Sequence, residues 1–315
     1  MQATELTETP AGLQPSPRIC IVIVFLGAWP AWIRYFLQSC SRNSQFQWLI
    51  FGSAPPITPT PHNVQLVPID QPALEQLVSE KLALPWKMAR GYKLVDLKPA
   101  YGHIFSEWLQ GYDFWGYTDM DVIYGQLSDF LTPAILETYD IITANEKVLV
   151  GHFTLLRNTQ RFCHLYQQAE NWLEVLCSEA PAGFDEKGFQ VLVKRLASEG
   201  ELSLYAENIS REDIRLRLTR RPRFVMLWHS GRLYDLFAFS TTAYFHFMES
   251  KWSPDFSIAS MPEVADAPFF VHRKGIVPLN TVSSFLRFGI SCLIALVFSL
   301  PWYARQFLRK LVRRN

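Results

Sequence analysis

The chain has 315 residues, 49% of them hydrophobic and 14% aromatic, which is enough apolar material for one sizeable core. Its formal net charge of +1 argues against a strong overall field for polyanions, and we expect no nucleic-acid partner. The cysteines have neither the spacing of a metal site nor that of a disulfide framework, so we interpret them as reduced core residues of a cytosolic protein. They are Cys20, Cys40, Cys163, Cys177 and Cys292.

The N-terminal region predicts a tail followed by a buried strand. Residues 1–17 are rich in Thr, Glu and Pro and lack the basic start and apolar run of a secretory signal, which indicates a disordered tail. The apolar run that follows is interrupted by Pro30 and is shorter than the roughly 20 residues of a membrane-spanning helix. Its β-branched beginning, 19–24, is typical of a buried strand in a mostly parallel sheet.

Strand-like and helix-like segments alternate along the next part of the chain. Such alternation predicts an α/β layer fold, and Asn158 is a candidate N-cap for one of the helices. The sequence predicts strands over 19–24, 46–51, 64–69 and 139–143, and helices over 29–39, 98–110, 159–177 and 188–198.

Two aspartates, Asp119 and Asp121, stand one residue apart at the end of the hydrophobic strand that follows the 98–110 helix. Alternate side chains of a strand share a face, so both carboxylates can point into one site. Paired carboxylates suit a hard divalent cation, which prefers oxygen ligands and can also bridge phosphate oxygens. The pair therefore predicts a metal site of the kind that holds a nucleotide sugar.

Several ordered segments resemble bacterial glycosyltransferases with the GT-A fold, of the type that makes capsular and other cell-surface polysaccharides. The resemblance extends over 18–252 and includes the Asp-x-Asp motif in 116–121. The other segments are 93–102, 151–158 and 245–252. It implies a catalytic domain with the three-layer fold of nucleotide-diphospho-sugar transferases, built on a mostly parallel central sheet. It also implies metal-dependent transfer of a hexose from a nucleotide-diphosphate donor, a UDP-sugar, to a surface glycan or lipid-linked acceptor, with Mn²⁺ or Mg²⁺.

The resemblance assigns residues to the metal and the donor. Asp121 is implied as a direct metal ligand, and His246 as the residue that completes the metal site. Asp119 is implied to belong to this metal site and to contact the donor ribose or a metal-bound water. Lys251 is implied to contact the diphosphate, where an ammonium can stabilise the leaving charge. The alternative for His246 is a core histidine on an aromatic strand, and His229 is a rival metal ligand.

Four further positions are assigned to donor binding. In related enzymes an acidic and basic pair before the metal strand contacts the donor, which implies this role for Asp96 and Lys98; helix capping is the alternative for Asp96. Phe25 and Gly27 should lie beside the nucleotide because ligands of open α/β sheets bind at the carboxyl ends of strands. Where many relatives have an aspartate after the second strand, this chain has Gly52 and a serine.

An acidic pair between two glycines is the candidate acceptor-side group. Asp185 or Glu186 could accept the proton of the acceptor hydroxyl, and their position resembles the acidic motif of inverting relatives. The alternative is a helix N-terminus whose acidic residues complement the dipole. Retention or inversion of the anomeric carbon stays open.

The C-terminal region predicts a connector over 253–284 and a hydrophobic, basic membrane-associating segment over 285–315. Residues 288–304 are 17 residues without a charge, containing Trp302 and Tyr303 near their end. This pattern favours a shallow or re-entrant attachment of a C-terminal helix at the cytoplasmic face of the cell membrane. A helix buried against the catalytic domain is the alternative. The basic residues that follow are Arg305, Arg309, Lys310, Arg313 and Arg314.

Two other functions fit the sequence less well than glycosyl transfer. A catalytically silent, membrane-bound glycan-binding or assembly subunit would have no chemical reason to keep Asp119, Asp121, His246 and Lys251. A metal-dependent phosphohydrolase generally needs more metal ligands than the sequence offers.

Overall fold

The structure is a computed structural model that describes residues 16–89, 91–213, 224–262 and 266–293. Most of the predicted N-terminal tail and the predicted basic cluster at 305–314 lie outside the described residues. Of the predicted uncharged run 288–304, the described part ends at residue 293.

The described chain contains sixteen strands and eight α-helices. The strands are β1 (Ile19–Phe25), β2 (Phe46–Gly52), β3 (Val64–Pro68), β4 (Phe114–Thr118), β5 (Val122–Tyr124), β6 (Ile141–Thr143), β7 (Phe153–Arg157), β8 (Leu204–Ala206), β9 (Ser210–Glu212), β10 (Val225–His229), β11 (Arg232–Asp235), β12 (Ser240–Thr242), β13 (Tyr244–His246), β14 (Ser257–Ile258), β15 (Phe269–His272) and β16 (Gly275–Pro278). The helices are α1 (Ile33–Ser41), α2 (Gln71–Leu82), α3 (Tyr101–Ile104), α4 (Pro133–Thr138), α5 (Gln160–Cys163), α6 (Trp172–Cys177), α7 (Gln190–Ser198) and α8 (282–293).

The central sheet has seven strands in the order β3-β2-β1-β4-β7-β6-β8. Only β7 runs antiparallel to its neighbours, so the predicted α/β fold with a mostly parallel sheet is confirmed. Cys20 and Val22 of β1 pack into one apolar cluster, whereas Ile21 and Ile23 pack into another on the opposite face. Burial on both faces explains why β1 is a continuous apolar run rather than an alternating one.

The predicted helix over 98–110 is largely absent. A 3-10 helix covers Gly91–Ala100, α3 adds four residues, and turns follow. Pro99 lies inside the 3-10 helix, and because proline has no N–H and clashes with the preceding turn, it does not fit inside a longer α-helix. This segment nevertheless leads into β4, as predicted.

The predicted helix over 159–177 is divided into α5, a 3-10 turn (Leu165–Gln168) and α6. Thr159, rather than Asn158, is the N-cap of α5 and accepts a hydrogen bond from the Phe162 N–H. The Asn158 side chain instead donates to the carbonyls of Leu109 and Tyr112, so it fastens the turn before β4.

The region predicted as a connector, 253–284, contains β14, β15 and β16. These strands complete a second sheet with the order β12-β11-β10-β15-β16-β14. Phe269 and Val271 of β15 are buried and pack with Trp228 of β10, which explains their apolar character. Proline content alone suggested a connector, but the aromatic and β-branched run is typical of a strand.

A small third sheet, β5-β13-β9, brings distant parts of the chain together. His246 of β13 pairs with Val122 of β5 and with Glu212 of β9. Because Val122 directly follows Asp121, this pairing places the late histidine beside the aspartate pair.

The helix α8 begins after Thr281, whose hydroxyl accepts a hydrogen bond from the Ser284 N–H. One side of α8 lies on the second sheet through Phe288 and Cys292. None of the described helices is long and apolar enough to cross a membrane.

Candidate functional site

Asp119, Asp121 and His246 converge at the carboxyl end of β4. Each offers a ligand atom, and these atoms all lie within 4.8 Å of one another. Asp121 and His246 are buried, whereas Asp119 is partly exposed. Two carboxylates and one imidazole form a donor set that a divalent cation can bind.

The backbone around the aspartates is held from two sides. The Trp32 indole N–H donates to the Met120 carbonyl at 2.8 Å, and the Phe247 N–H donates to the Asp121 carbonyl at 3.1 Å. The acidic turn is therefore fixed between α1 and the end of β13.

Each aspartate is paired with a lysine from a different part of the chain. Lys98 Nζ lies 2.6 Å from Asp119 Oδ1 and also donates to the Gly151 carbonyl at 2.9 Å. Lys251 Nζ donates to Asp121 Oδ2, which also lies 3.2 Å from His246 Nε2. The site thus combines two carboxylates with two ammonium groups, so it offers binding groups for both a cation and an anion.

The neighbouring charges set the protonation of these groups. Burial acts to raise the pKa of Asp121, but His246 and Lys251 outweigh it and hold that pKa below its usual range. Burial lowers the pKa of His246, yet the hydrogen bond and charge of Asp121 raise it overall. Burial also opposes the charge on Lys98, and Asp119 and Asp185 together raise its pKa. Asp121 is therefore ionised over the physiological pH range, as a metal ligand must be.

Asp185 and Glu186 lie beside this site through Gly151. The Gly151 N–H donates to Glu186 Oε1 at 3.0 Å, while its carbonyl accepts from Lys98. A Cβ on Gly151 would lie 2.3 Å from Asp185 Oδ2, so only glycine allows this approach. Burial, with help from Glu186 and Asp119, raises the pKa of Asp185 to about 7, and Lys98 opposes the rise. The acidic pair begins a π-helical turn (Asp185–Phe189), not a regular helix N-terminus.

Asp96 lies away from the open part of the site. Its side chain is fully buried and accepts hydrogen bonds from Lys93 Nζ and from the N–H groups of Ala182 and Phe184. These bonds fasten the loop that leads into Asp185. The structure therefore brings Lys98, but not Asp96, to the aspartate pair, and Asp96 does not cap a helix.

Phe25 and Gly27 lie at the carboxyl end of β1. Phe25 stacks on Trp29 with ring centroids 6.0 Å apart. Gly27 has a φ of +117°, which favours glycine, and its N–H donates to the Ser53 hydroxyl at the end of β2. The surroundings of the Gly27 Cβ position are open within 4 Å. His229, the rival ligand, is exposed at the β10–β11 turn and is not in the ligand cluster of the described residues.

Three residues without a sequence-based assignment support the site. The His152 ring lies 4.2 Å from the His246 ring and bonds to Tyr244 and Glu212 at 2.8 and 3.1 Å. Asp213 accepts from the N–H groups of Glu249 and Ser250, which positions the turn carrying Lys251. His152 lies within the segment 151–158 that carried the resemblance; Glu212 and Asp213 become identifiable only once β9 pairs with β13.

Solved glycosyltransferases show a weak likeness to this chain. Galactosyltransferase LgtC, in complex with donor and acceptor sugar analogs, has 11% identity and a TM-score of 0.37, covering 75% of this chain and 88% of that one. Mouse xyloside xylosyltransferase 1 has 11% identity and a TM-score of 0.37, covering 74% and 98%. Glycosyltransferase GlyE of Streptococcus pneumoniae TIGR4 has 13% identity and a TM-score of 0.31, covering 60% and 45%. At this identity and TM-score, the likeness does not assign a reaction.

Among curated proteins, none matches this sequence significantly. A family match is found over residues 21–277, a range that contains nearly all of both large sheets and every residue of the ligand cluster. The chain belongs to the family described as a family of unknown function, DUF6625.

Proposed function

We propose that this protein is a metal-dependent glycosyltransferase that moves a sugar from a nucleotide-diphosphate donor to an acceptor hydroxyl. The observation that carries the proposal is the cluster of Asp119, Asp121 and His246 at the carboxyl end of a strand in a mostly parallel sheet. Ligands of open α/β sheets bind at this edge. A carboxylate-rich donor set with one imidazole suits Mn²⁺ or Mg²⁺.

The two lysines give the site its affinity for a diphosphate. A bound divalent cation would neutralise phosphate oxygens and stabilise the departing diphosphate. Lys251 and Lys98 each lie within hydrogen-bond distance of a carboxylate of the cluster, so their ammonium groups can reach a diphosphate held there. Fixed cations at the position where leaving-group charge develops lower the barrier to transfer.

Asp185 is the favoured proton acceptor for the sugar acceptor hydroxyl, with Glu186 as the alternative. Its pKa of about 7 suits a group that must take up a proton near neutral pH. Glu186 is exposed and bonds to the Gly151 N–H, so it also borders the site. Phe25 and Gly27, at the end of β1, are proposed to border the nucleotide.

The proposed donor is a UDP-sugar, the transferred group a hexose, and the acceptor a surface glycan or lipid-linked sugar. We place the reaction at the cytoplasmic face of the cell membrane. The resemblance of the segments 93–102 and 116–121 supports the donor and acceptor classes, and the composition of 285–315 supports the location.

A donor-binding and turnover assay tests the proposal. Thermal unfolding is measured with a panel of nucleotide sugars, each with Mn²⁺ or with a chelator. A ligand at about 100 times its dissociation constant stabilises the folded state by about 2.7 kcal/mol, so the true donor should raise the unfolding temperature only when metal is present. Asp121→Asn and His246→Gln should remove this response, and Asp255→Asn, at an exposed aspartate, should keep it.

The products of slow donor hydrolysis separate the alternatives. A transferase that uses water as acceptor releases a nucleoside diphosphate and free sugar, whereas a phosphohydrolase releases a nucleoside monophosphate and a sugar phosphate. Metal-dependent donor binding without either product would support the silent subunit. An unchanged response in Asp121→Asn would refute the metal site.

A further inference from the structure

The charges of this chain are divided sharply along the sequence. Eight of the 30 Lys and Arg residues lie after Asp266, whereas none of the 29 Asp and Glu residues does. Residues 267–315 therefore carry a formal charge of +8, and the rest of the chain carries −7. The near-zero net charge thus conceals a strongly basic C-terminal region, which favours an anionic partner.

The helix α8 lies at the start of this basic region and is fixed to the second sheet along one side. Phe288 and Cys292 pack against a cluster that contains Phe270 and Val277. Ser291 bonds to the His272 ring at 3.3 Å. Since Phe288, Ser291 and Cys292 are three and four residues apart, they lie on one face of the helix, and that face is occupied by the protein itself.

The opposite face of α8 is apolar and open to solvent. Its apolar side chains are between 56 and 79% exposed. Their spacing of three and four residues forms a continuous stripe along the helix. They are Val282, Phe285, Leu286, Ile290 and Leu293. A helix that needed only to cover the second sheet would carry polar residues on this side.

The β11–β12 turn extends the apolar surface. Leu236 and Phe237 of this turn pack into the same cluster as Phe288, so the turn lies next to α8. Phe239, two residues further, is 91% exposed. It also has a φ of +51°, a left-handed conformation that is unusual for a bulky residue and carries strain.

Exposed basic residues border the helix. Arg273 and Lys274 form the β15–β16 turn, and Arg287 is on α8 itself. His272, which bonds to Ser291 of α8, directly precedes Arg273 and Lys274, and Arg287 lies one helical turn before Ser291, so these cations border the contact between α8 and β15. Apolar side chains flanked by basic ones match an interface between acyl chains and anionic headgroups.

We propose that the exposed face of α8, together with Phe239 and the flanking basic residues, is a docking surface for an anionic lipid bilayer. A second copy of the chain is a poorer partner, because a symmetric dimer would place one +8 region against another. The proposal deepens the membrane location given above but does not depend on glycosyl transfer, since vesicle binding needs no substrate. Its failure would therefore leave the transferase proposal standing.

Vesicle co-sedimentation of the full-length protein tests the docking surface. Wild-type protein should bind vesicles containing phosphatidylglycerol and bind pure phosphatidylcholine vesicles roughly tenfold or more weakly. Leu286→Ser/Ile290→Ser, which removes apolar contact without changing charge, should weaken binding to the anionic vesicles by roughly tenfold. Arg273→Gln/Lys274→Gln should weaken binding mainly at low salt, where charges are least screened.

Matched controls exclude unfolding and a general surface effect. Val191→Ser replaces an apolar residue of α7 with 67% exposure and should bind vesicles like the wild type. All variants should keep the wild-type unfolding temperature within a few degrees, because the substituted side chains are exposed. Equal binding by Leu286→Ser/Ile290→Ser and wild type would overturn the proposal. So would a dimer that this variant dissociates while vesicle binding is unchanged, because the partner would then be a second copy.

Discussion

Two lysine–aspartate ion pairs use lysines of the same 3-10 helix, Gly91–Ala100, but they lie in different environments. Lys93 and Asp96 lie 2.9 Å apart with both side chains fully buried. Lys98 and Asp119 lie 2.6 Å apart, but 36% of the Asp119 side chain is exposed. Asp96 also accepts hydrogen bonds from two backbone N–H groups of the loop before Asp185.

The difference separates a pair that holds the fold from one that can serve a ligand. A buried ion pair keeps its charges only when further hydrogen bonds satisfy them, and Asp96 meets this condition within the protein. Asp119 keeps an exposed face next to Asp121 and His246, so its remaining oxygen lone pairs can bind a cation. Lys93 and Lys98 are only five positions apart in the chain, yet the ion pairs that they form have different roles.

Substitution of the two aspartates should separate these roles most strongly. Asp96→Asn leaves the buried Lys93 ammonium uncompensated and should lower the free energy of unfolding by about 3–5 kcal/mol. Asp119→Asn should destabilise less, because Asp119 is partly exposed and the buried Lys98 ammonium keeps the Gly151 carbonyl and the charge of Asp185 as partners. Denaturant unfolding in the presence of a chelator measures both. Equal destabilisation by the two variants would remove the distinction between the pairs.

Asp185, the buried acid next to Gly151, should make the free energy of unfolding depend on pH. The pKa of Asp185 is raised from 3.8 to about 7, so the folded chain binds its proton more tightly than the unfolded chain. The free energy of unfolding should then fall as pH rises from about 4 to about 7. Without metal, Asp185→Asn should be more stable than wild type by up to about 4 kcal/mol at pH 8 and equal to it at pH 4. Identical pH profiles of wild type and Asp185→Asn would contradict a raised pKa of Asp185 in the folded chain.

Lys251, which pairs with Asp121, should affect turnover more than the free energy of unfolding. Lys251→Met removes the ammonium beside Asp121 and should reduce kcat for donor cleavage by about 10²–10³-fold, as expected for loss of a group that stabilises developing charge. Mn²⁺ binding should persist. Lys87→Met, at an exposed lysine that pairs with the buried Glu75, is the control and should retain full activity. Loss of Mn²⁺ binding together with activity in Lys251→Met would instead make Lys251 part of the metal-site scaffold.

Local sequence patterns were sufficient for five strands of the central sheet and for the aspartate pair, whereas β7 and β8 were not predicted as strands. The apolar run of β1 and the two aspartates after β4 are each formed by residues close together in the sequence, so local patterns reveal them. His246 required the resemblance, because its contact with Asp121, 125 residues earlier in the chain, depends on the pairing of β13 with β5.

Other features depend on contacts that periodicity does not encode. The buried position of the Asp96 side chain could not be predicted, since the backbone N–H groups that bond to it, those of Ala182 and Phe184, are 86 and 88 residues away. The strands β14–β16 are short, and β10, the strand that joins them to the rest of the second sheet through β15, lies in another part of the chain, so their sheet could not be inferred from local composition.

Direct counting of bound Mn²⁺ by electron paramagnetic resonance tests the central claim that Asp119, Asp121 and His246 form a metal site. Wild-type protein should bind one ion per chain at this cluster. Asp121→Asn should lose this ion, whereas Asp255→Asn should retain it, and a cooperative thermal transition of each variant without metal would show that both are folded. Undiminished Mn²⁺ binding by Asp121→Asn would contradict the account, because the ion would then be held elsewhere.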